Sequence, residues 1–131
     1  MGAQVGKTVL VVEKQANYTQ LLVKQIMFAG LNPIVAVTGA GGLRKVEECR
    51  PDLILLEMEL TDMDGLDFVL TVRGKPEADH IPIVAMSTFP HMKEKALQHG
   101  CNEFLLKPVK MIHLMGHVRK FLRGEVNAGS V

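Results

Sequence analysis

Five short runs of apolar residues recur along the chain, each followed by a stretch whose apolar positions fall at helical spacing. The runs are 8–12 (TVLVV), 32–37 (NPIVAV), 52–56 (DLILL), 81–86 (IPIVAM) and 102–106 (NEFLL). They are rich in β-branched residues, too short for helices and continuously apolar rather than alternating, which predicts strands buried on both faces. Between and after them, 15–29, 41–49, 65–73, 91–99 and 110–123 predict helices. Leu21, Leu22, Ile26 and Phe28 give the first helix its apolar positions, and Gly30, Pro51 and Gly100 stand where helices stop. Pro33 places the second strand at an edge or makes it a strand start. Strands alternating with helices imply right-handed β–α–β units. The predicted fold is α/β: a doubly wound, five-stranded parallel sheet with helices on both faces. Such sheets carry their chemistry at the carboxyl ends of the strands, beside the switch in strand order. The positions to examine are Glu13–Lys14, Glu57–Glu59, Ser87–Thr88 and Lys107–Pro108.

Composition narrows the function. The 131 residues, 47% hydrophobic and 22% charged, suit one domain, expected over 7–123 with 124–131 as a flexible C-terminal tail. Fifteen Lys+Arg against fourteen Asp+Glu leave no basic field for nucleic acid. Cys49 and Cys101 are too few for a disulfide framework and suit a reducing compartment. No apolar run approaches the ~20 residues that span a bilayer, so a cytoplasmic protein with no membrane partner is expected.

The acids, the hydroxyl and the Lys-Pro fall after strands one, three, four and five in order. Together with VLVVE (9–13), RPDLILLE (50–57), MDGLDF (63–68), IPIVAMST (81–88) and ALQHGCNEFLLKPV (96–109), they make the chain resemble a response-regulator receiver domain over residues 7–123. The resemblance implies the flavodoxin-like receiver fold and a role in two-component phosphorelay signalling. It also implies an acidic pair after strand one that holds Mg²⁺ and an Asp after strand three that accepts a phosphoryl group. A Ser/Thr and a Lys would contact that phosphoryl, an aromatic on strand five would repack when it arrives, and the Lys-Pro bond would be cis.

Carried over by position, the phosphoacceptor is Glu57, the acidic pair is Glu13 and Lys14, the phosphoryl contacts are Ser87 and Lys107, and the switch aromatic is Phe104. Leu60–Thr61 replaces the usual Met-Pro. Lys14 puts a cation where a metal ligand belongs. An ammonium ~4 Å from a carboxylate gains roughly 4 kcal/mol at an effective dielectric near 20, so Lys14 is expected to pair with Glu57 or Glu13 and displace the ion. Glu57 carries an extra methylene that shifts its oxygens, and phosphoryl transfer depends on position and charge neutralisation. Glu59 offers an oxygen but is not expected to restore the geometry. The reading is a degenerate pseudo-receiver, not an enzyme, without cofactor. It would act by protein–protein contact with a histidine kinase, an effector domain or a second receiver. Its contact surface would centre on Phe104, with Met92 and Met111 on the flanking helices, while most methionines, Met115 among them, are expected to fill the core. The alternatives are a working Mg²⁺-dependent phosphoacceptor, and a small nucleotide- or flavin-binding domain, for which EKQANYT (13–19) lacks the glycines. A phosphoryl-mimicking role for Glu57 stays open, with one carboxylate charge against the ~1.5–2 of a phosphoryl group.

Three motifs carry less. GKT (6–8) lacks the first glycine of a phosphate-binding loop and precedes its strand. TGAGGLR (38–44) is read as a turn needing positive φ before a short helix. His113 and His117 have metal-gripping spacing but no third ligand nearby. The cations of the last helix suit a helix C-terminus.

Overall fold

The computed structural model describes residues 6–124; the tail expected at 124–131 therefore lies, beyond Gly124, outside the described residues. The elements are β1 (Thr8–Val12), α1 (Ala16–Phe28), β2 (Asn32–Ala36), α2 (Gly39–Cys49), β3 (Leu53–Glu57), α3 (Gly65–Arg73), β4 (Ile83–Ser87), α4 (Met92–His99), β5 (Glu103–Leu106) and α5 (Met111–Leu122). They form one sheet in the order β2-β1-β3-β4-β5, with every pairing parallel. Pro33 is on the edge strand, where its missing N–H costs no ladder bond. Every residue of β3 and β4 is buried, as continuously apolar strands covered on both faces should be.

Alternation along the strands divides the core in two. Leu10, Val12, Ile54, Leu56, Ile83 and Ala85 face α2, α3 and α4, meeting Val46, Phe68, Val69, Val72 and Ala96. Val9, Val11, Leu53, Leu55, Val84 and Met86 face α1 and α5, meeting Leu22, Ile26, Leu114, Val118 and Leu122. The chain crosses from one side to the other between β1 and its two neighbours, which opens the crevice at the strand carboxyl ends.

The 38–44 segment departs from its reading as a turn. Gly39, Gly41 and Gly42 lie inside α2, and none of them has positive φ. Thr38 caps the helix, its hydroxyl accepting from the Gly41 amide. The glycines are there for closeness: a Cβ on Gly39 would stand 2.5 Å from Met63, and one on Gly42 would stand 2.9 Å from Phe68 and Val12. α2 therefore approaches Met63, Phe68 and Val12 more closely at Gly39 and Gly42 than a side chain there would leave undisturbed.

Arg73, the last residue of α3, ties the far end of the sheet together. Its guanidinium donates to the carbonyls of Gly100, Asp79 and Ile81 and to Asn102 Oδ1, at 2.8–3.1 Å. Asn102 Oδ1 also accepts from the Ile83 amide at 2.8 Å, so one side chain joins α3, the start of β4 and the entry to β5. Hydrogen bonds to charged groups contribute more than neutral ones, and acceptors stripped of their donor add a desolvation cost. Arg73→Met is predicted to lower stability by about 2–3 kcal/mol, read as an earlier urea midpoint with unchanged slope. Arg73→Lys, which keeps the charge and loses the planar fork, should recover less than half of that.

Candidate functional site

Backbone bonds between neighbouring strand ends set the positions of the side chains. The Glu13 amide donates to the Ala36 carbonyl at 3.0 Å, Met58 to Met86 at 2.9 Å and Lys107 to Ser87 at 2.8 Å. Glu13, Glu57 and Lys107 thereby converge. The Lys107 ammonium donates to Glu13 Oε1 at 2.8 Å and to Glu57 Oε1, with the three side chains 8%, 0% and 5% exposed for Lys107, Glu13 and Glu57. Each carboxylate engages its second oxygen locally: Glu13 Oε2 accepts from the Gln15 amide at 3.1 Å and Glu57 Oε2 from the Glu59 amide at 3.0 Å. The Tyr18 ring covers the cluster, its centroid 4.5 Å from the ammonium, a cation–π contact strengthened by burial.

Beside this triad, Ser87 donates to the Glu59 carboxylate at 2.9 Å and accepts from the Phe89 amide at 2.9 Å. Burial pushes the Glu57 carboxyl up, but the Lys107 ammonium and the Glu59 amide outweigh it and hold it below the ordinary range. Burial also acts against the Lys107 charge, and the two carboxylates overcome it and raise the ammonium above its ordinary value. Glu59 goes the other way. Burial and then the neighbouring Glu57 raise its carboxyl, only partly offset by Ser87. Burial raises the Tyr18 hydroxyl as well.

The expected pairing of Lys14 is corrected by this geometry. Lys14 is exposed and forms no ion pair with Glu13 or Glu57; the cation they share is Lys107. Lys14 lies in a bend two residues past the end of β1. With Glu13 directed inward and fully buried, the Lys14 stem points out to water, where a long ammonium side chain is best solvated. Ser87 and Lys107 are both at the crevice but serve different carboxylates, Ser87 holding Glu59 and Lys107 holding Glu13 and Glu57. Glu59, set aside on sequence grounds, thus belongs to the cluster. Tyr18 was not anticipated; its only sequence signal is an aromatic in the first turn of α1.

Phe104 is 7% exposed and sits in the α2–α3–α4 core cluster with Ala85, Ala96 and Cys101. Its side chain is therefore part of the core and not of an outer surface. Met92 packs against that cluster and Met111 against the opposite one, so the sheet lies between them; Met115 is buried. Lys107–Pro108 is cis, as the resemblance implies. His117 Nδ1 lies 3.8 Å from Glu103 Oε1, and no group of three or more His, Cys, Asp or Glu suited to a metal ion occurs among the described residues. Cys49 is exposed; burial pushes the Cys101 thiol up to about 12, which leaves it protonated and inert.

The two glutamates with opposite shifts predict a stability profile with two limbs. Glu57 lies below the ordinary value of 4.5, so its contribution is complete above 4.5 and is lost as pH falls through its lower native value. Glu59 lies above 4.5, so the native state loses stability as pH rises from 4.5 through the native Glu59 value, and acidification from neutral restores it. Thermal melts of Glu59→Gln should lack the restoring limb and keep the acid one. Lys107→Met leaves two buried carboxylates without their cation and should cost about 3–5 kcal/mol at neutral pH, with a smaller loss in acid.

Residues 9–119 match the response regulator receiver domain family. The polar-differentiation response regulator DivK of Brucella anthropi is 28% identical over 118 residues, covering 88% of this chain and 96% of that protein. The transcriptional regulatory protein KdpE of Mycobacterium tuberculosis is 30% identical over 125 residues, covering 94% of this chain and 54% of that regulator, so this chain spans about half its length. A response regulator structure from Chloroflexus aurantiacus superposes with a TM-score of 0.86 at 23% identity, covering 90% of this chain and 98% of that one. The receiver domain of the sensor histidine kinase PA1611 from Pseudomonas aeruginosa, which has a magnesium ion coordinated in its active site cleft, gives 0.82 at 24% identity over 90% and 98% of the two chains. The sheet order, the strand-end residues and this sequence match lead to one conclusion: the chain belongs to the response regulator receiver domain family.

Proposed function

We propose that this receiver domain of two-component signalling works without taking up a phosphoryl group, as a module that binds other proteins. The observation that carries the reading is the Lys107 ammonium held between Glu13 and Glu57, each on its remaining oxygen bound to a backbone amide. The nucleophile-equivalent Glu57 is 4% exposed. An in-line phosphoryl donor needs an accessible oxygen with neutralised charge beside it.

The residues do not fit a magnesium ion. Mg²⁺ asks for near-octahedral oxygen ligation at close range, whereas Glu13 and Glu57 both turn an oxygen to Lys107 and the neighbouring position carries Lys14. A phosphoryl-mimicking role for Glu57 gains no support from Ser87, whose hydroxyl bonds Glu59 instead. A nucleotide or flavin reading is opposed by the charge of the crevice, where three carboxylates would face the phosphate groups of such a ligand. A histidine kinase, an effector domain or a second receiver remains the class of partner, with action in the cytoplasm. No helix among the described residues is long and apolar enough to cross a membrane.

Incubation with acetyl phosphate and Mg²⁺ is predicted to give no phosphoryl adduct by intact mass, and beryllium fluoride no change in amide chemical shifts. An adduct on Glu57 or Glu59 would overturn the reading. The double variant Lys14→Asp/Glu57→Asp restores a carboxylate pair and shortens the acceptor, and should gain a Mg²⁺-dependent adduct.

A further inference from the structure

Beside the strand-end cluster, a groove of about 530 Å³ opens between the loop after β3 and the start of α4. Met63, Met92 and Phe89 supply its apolar surface, and Glu59, Asp62 and Asp64 supply its carboxylates. No Lys or Arg lines it among the described residues. Phe89 is 47% exposed, and together with Met63 and Met92 it gives the groove a contiguous apolar surface. The methionines partly pack on the core and partly face the groove, and their flexible thioethers adapt to whatever shape enters.

The groove is joined to the cluster through hydrogen bonds. Phe89 donates its amide to Ser87, and Ser87 donates its hydroxyl to Glu59. Glu59 is the carboxylate that Lys107 does not reach: Lys107 serves Glu13 and Glu57, and Glu59 has Ser87 as its side-chain donor. Lys14 acts on Glu59 only as the smallest of its influences and makes no ion pair with it. Asp62 accepts from the Gly39 and Ala40 amides, and Asp64 caps α3 through the Leu66 amide. Both are held in place by neutral backbone donors at the groove. The rim is thus acidic and held by neutral hydrogen-bond donors rather than ion pairs, and the floor is apolar.

We infer that this groove is the docking site for a basic, amphipathic segment of a partner protein, one that seats a large apolar side chain against Met63, Met92 and Phe89 and brings a Lys or Arg to Glu59. The inference deepens the interaction-module reading and rests on it for the kind of partner, while naming the face and the charge. A cation entering beside Glu59 would offset part of the excess negative charge that one ammonium leaves among three carboxyl groups. The same segment would bury the half-exposed Phe89 ring.

The test uses the intact protein with methyl-¹³C methionine and two short blocked peptides, one alternating leucine with arginine and the other leucine with glutamate. The arginine peptide should shift the Met63 and Met92 methyl signals and leave Met27 and Met115 in place, while the glutamate peptide should shift none. Glu59→Gln should weaken the arginine peptide about tenfold, and Phe89→Ala, a change at an exposed position, should do so comparably with the melting temperature unchanged. Equal binding of both peptides, shifts confined to Met27 or Met115, or full affinity in both variants would overturn the proposal. So would Met63 and Met92 shifts that follow protein concentration alone, since the occupant would then be a second copy. Each outcome is independent of whether acetyl phosphate leaves an adduct, so this inference and the phosphoryl-free reading fail separately.

Discussion

A single buried ammonium shared by two buried carboxylates governs this crevice. Burying an ion costs several kcal/mol after relaxation, and mutual attraction offsets that only when geometry and hydrogen bonding are both good. Here the partners meet those terms. Lys107 reaches Glu13 and Glu57, each glutamate has an amide for its other oxygen, and the Tyr18 ring covers the exposed side of the cation. The parallel sheet makes the arrangement possible by bringing residues 94 and 50 positions apart to one edge. The triad carries two negative charges and one positive, and Glu59 beside it adds a third carboxyl. The opposite shifts of Glu57 and Glu59 follow from which of them the ammonium touches.

That arrangement bears on signalling because a receiver's switch is electrostatic at its origin. Where a phosphoryl group arrives, it alters the charge at the end of the third strand, and the hydroxyl after the fourth responds. In this chain the corresponding hydroxyl, Ser87, is already engaged by Glu59, and the corresponding lysine is already engaged twice. Phe104 is buried in the core. On the proposed reading, partners would be selected by shape and charge around the crevice.

Much of this fold could be read from local pattern. β3 and β4 are apolar throughout because both faces are covered, and Pro33 sits on the edge strand where a proline is tolerated. The segment around Gly39–Gly42 was harder, since glycine signals a turn and a tight approach equally; only the positions of Met63, Phe68 and Val12 distinguish the two. The site divided along the same line. Position after each strand revealed Glu13, Glu57, Ser87 and Lys107, which depends on chain order alone. Their pairing depends on side-chain direction. Lys14 is adjacent in sequence to Glu13 yet points away, whereas Lys107 lies far along the chain and points in. Glu59 and Tyr18 entered the cluster through a two-residue loop bond and a helix turn, neither of which leaves a mark in the hydrophobic pattern.

The central claim is that Lys107 keeps both carboxylates occupied, and its ammonium can be observed directly. With ¹⁵N label on lysine side chains, the Lys107 ammonium signal should be resolved and slow to exchange with water, and should stay in place as Mg²⁺ is titrated to levels that saturate ordinary magnesium sites. Loss of that signal to fast exchange on adding Mg²⁺, together with shifts at the Glu13 and Glu57 carboxyl carbons, would show the ion displacing the ammonium and would contradict the account.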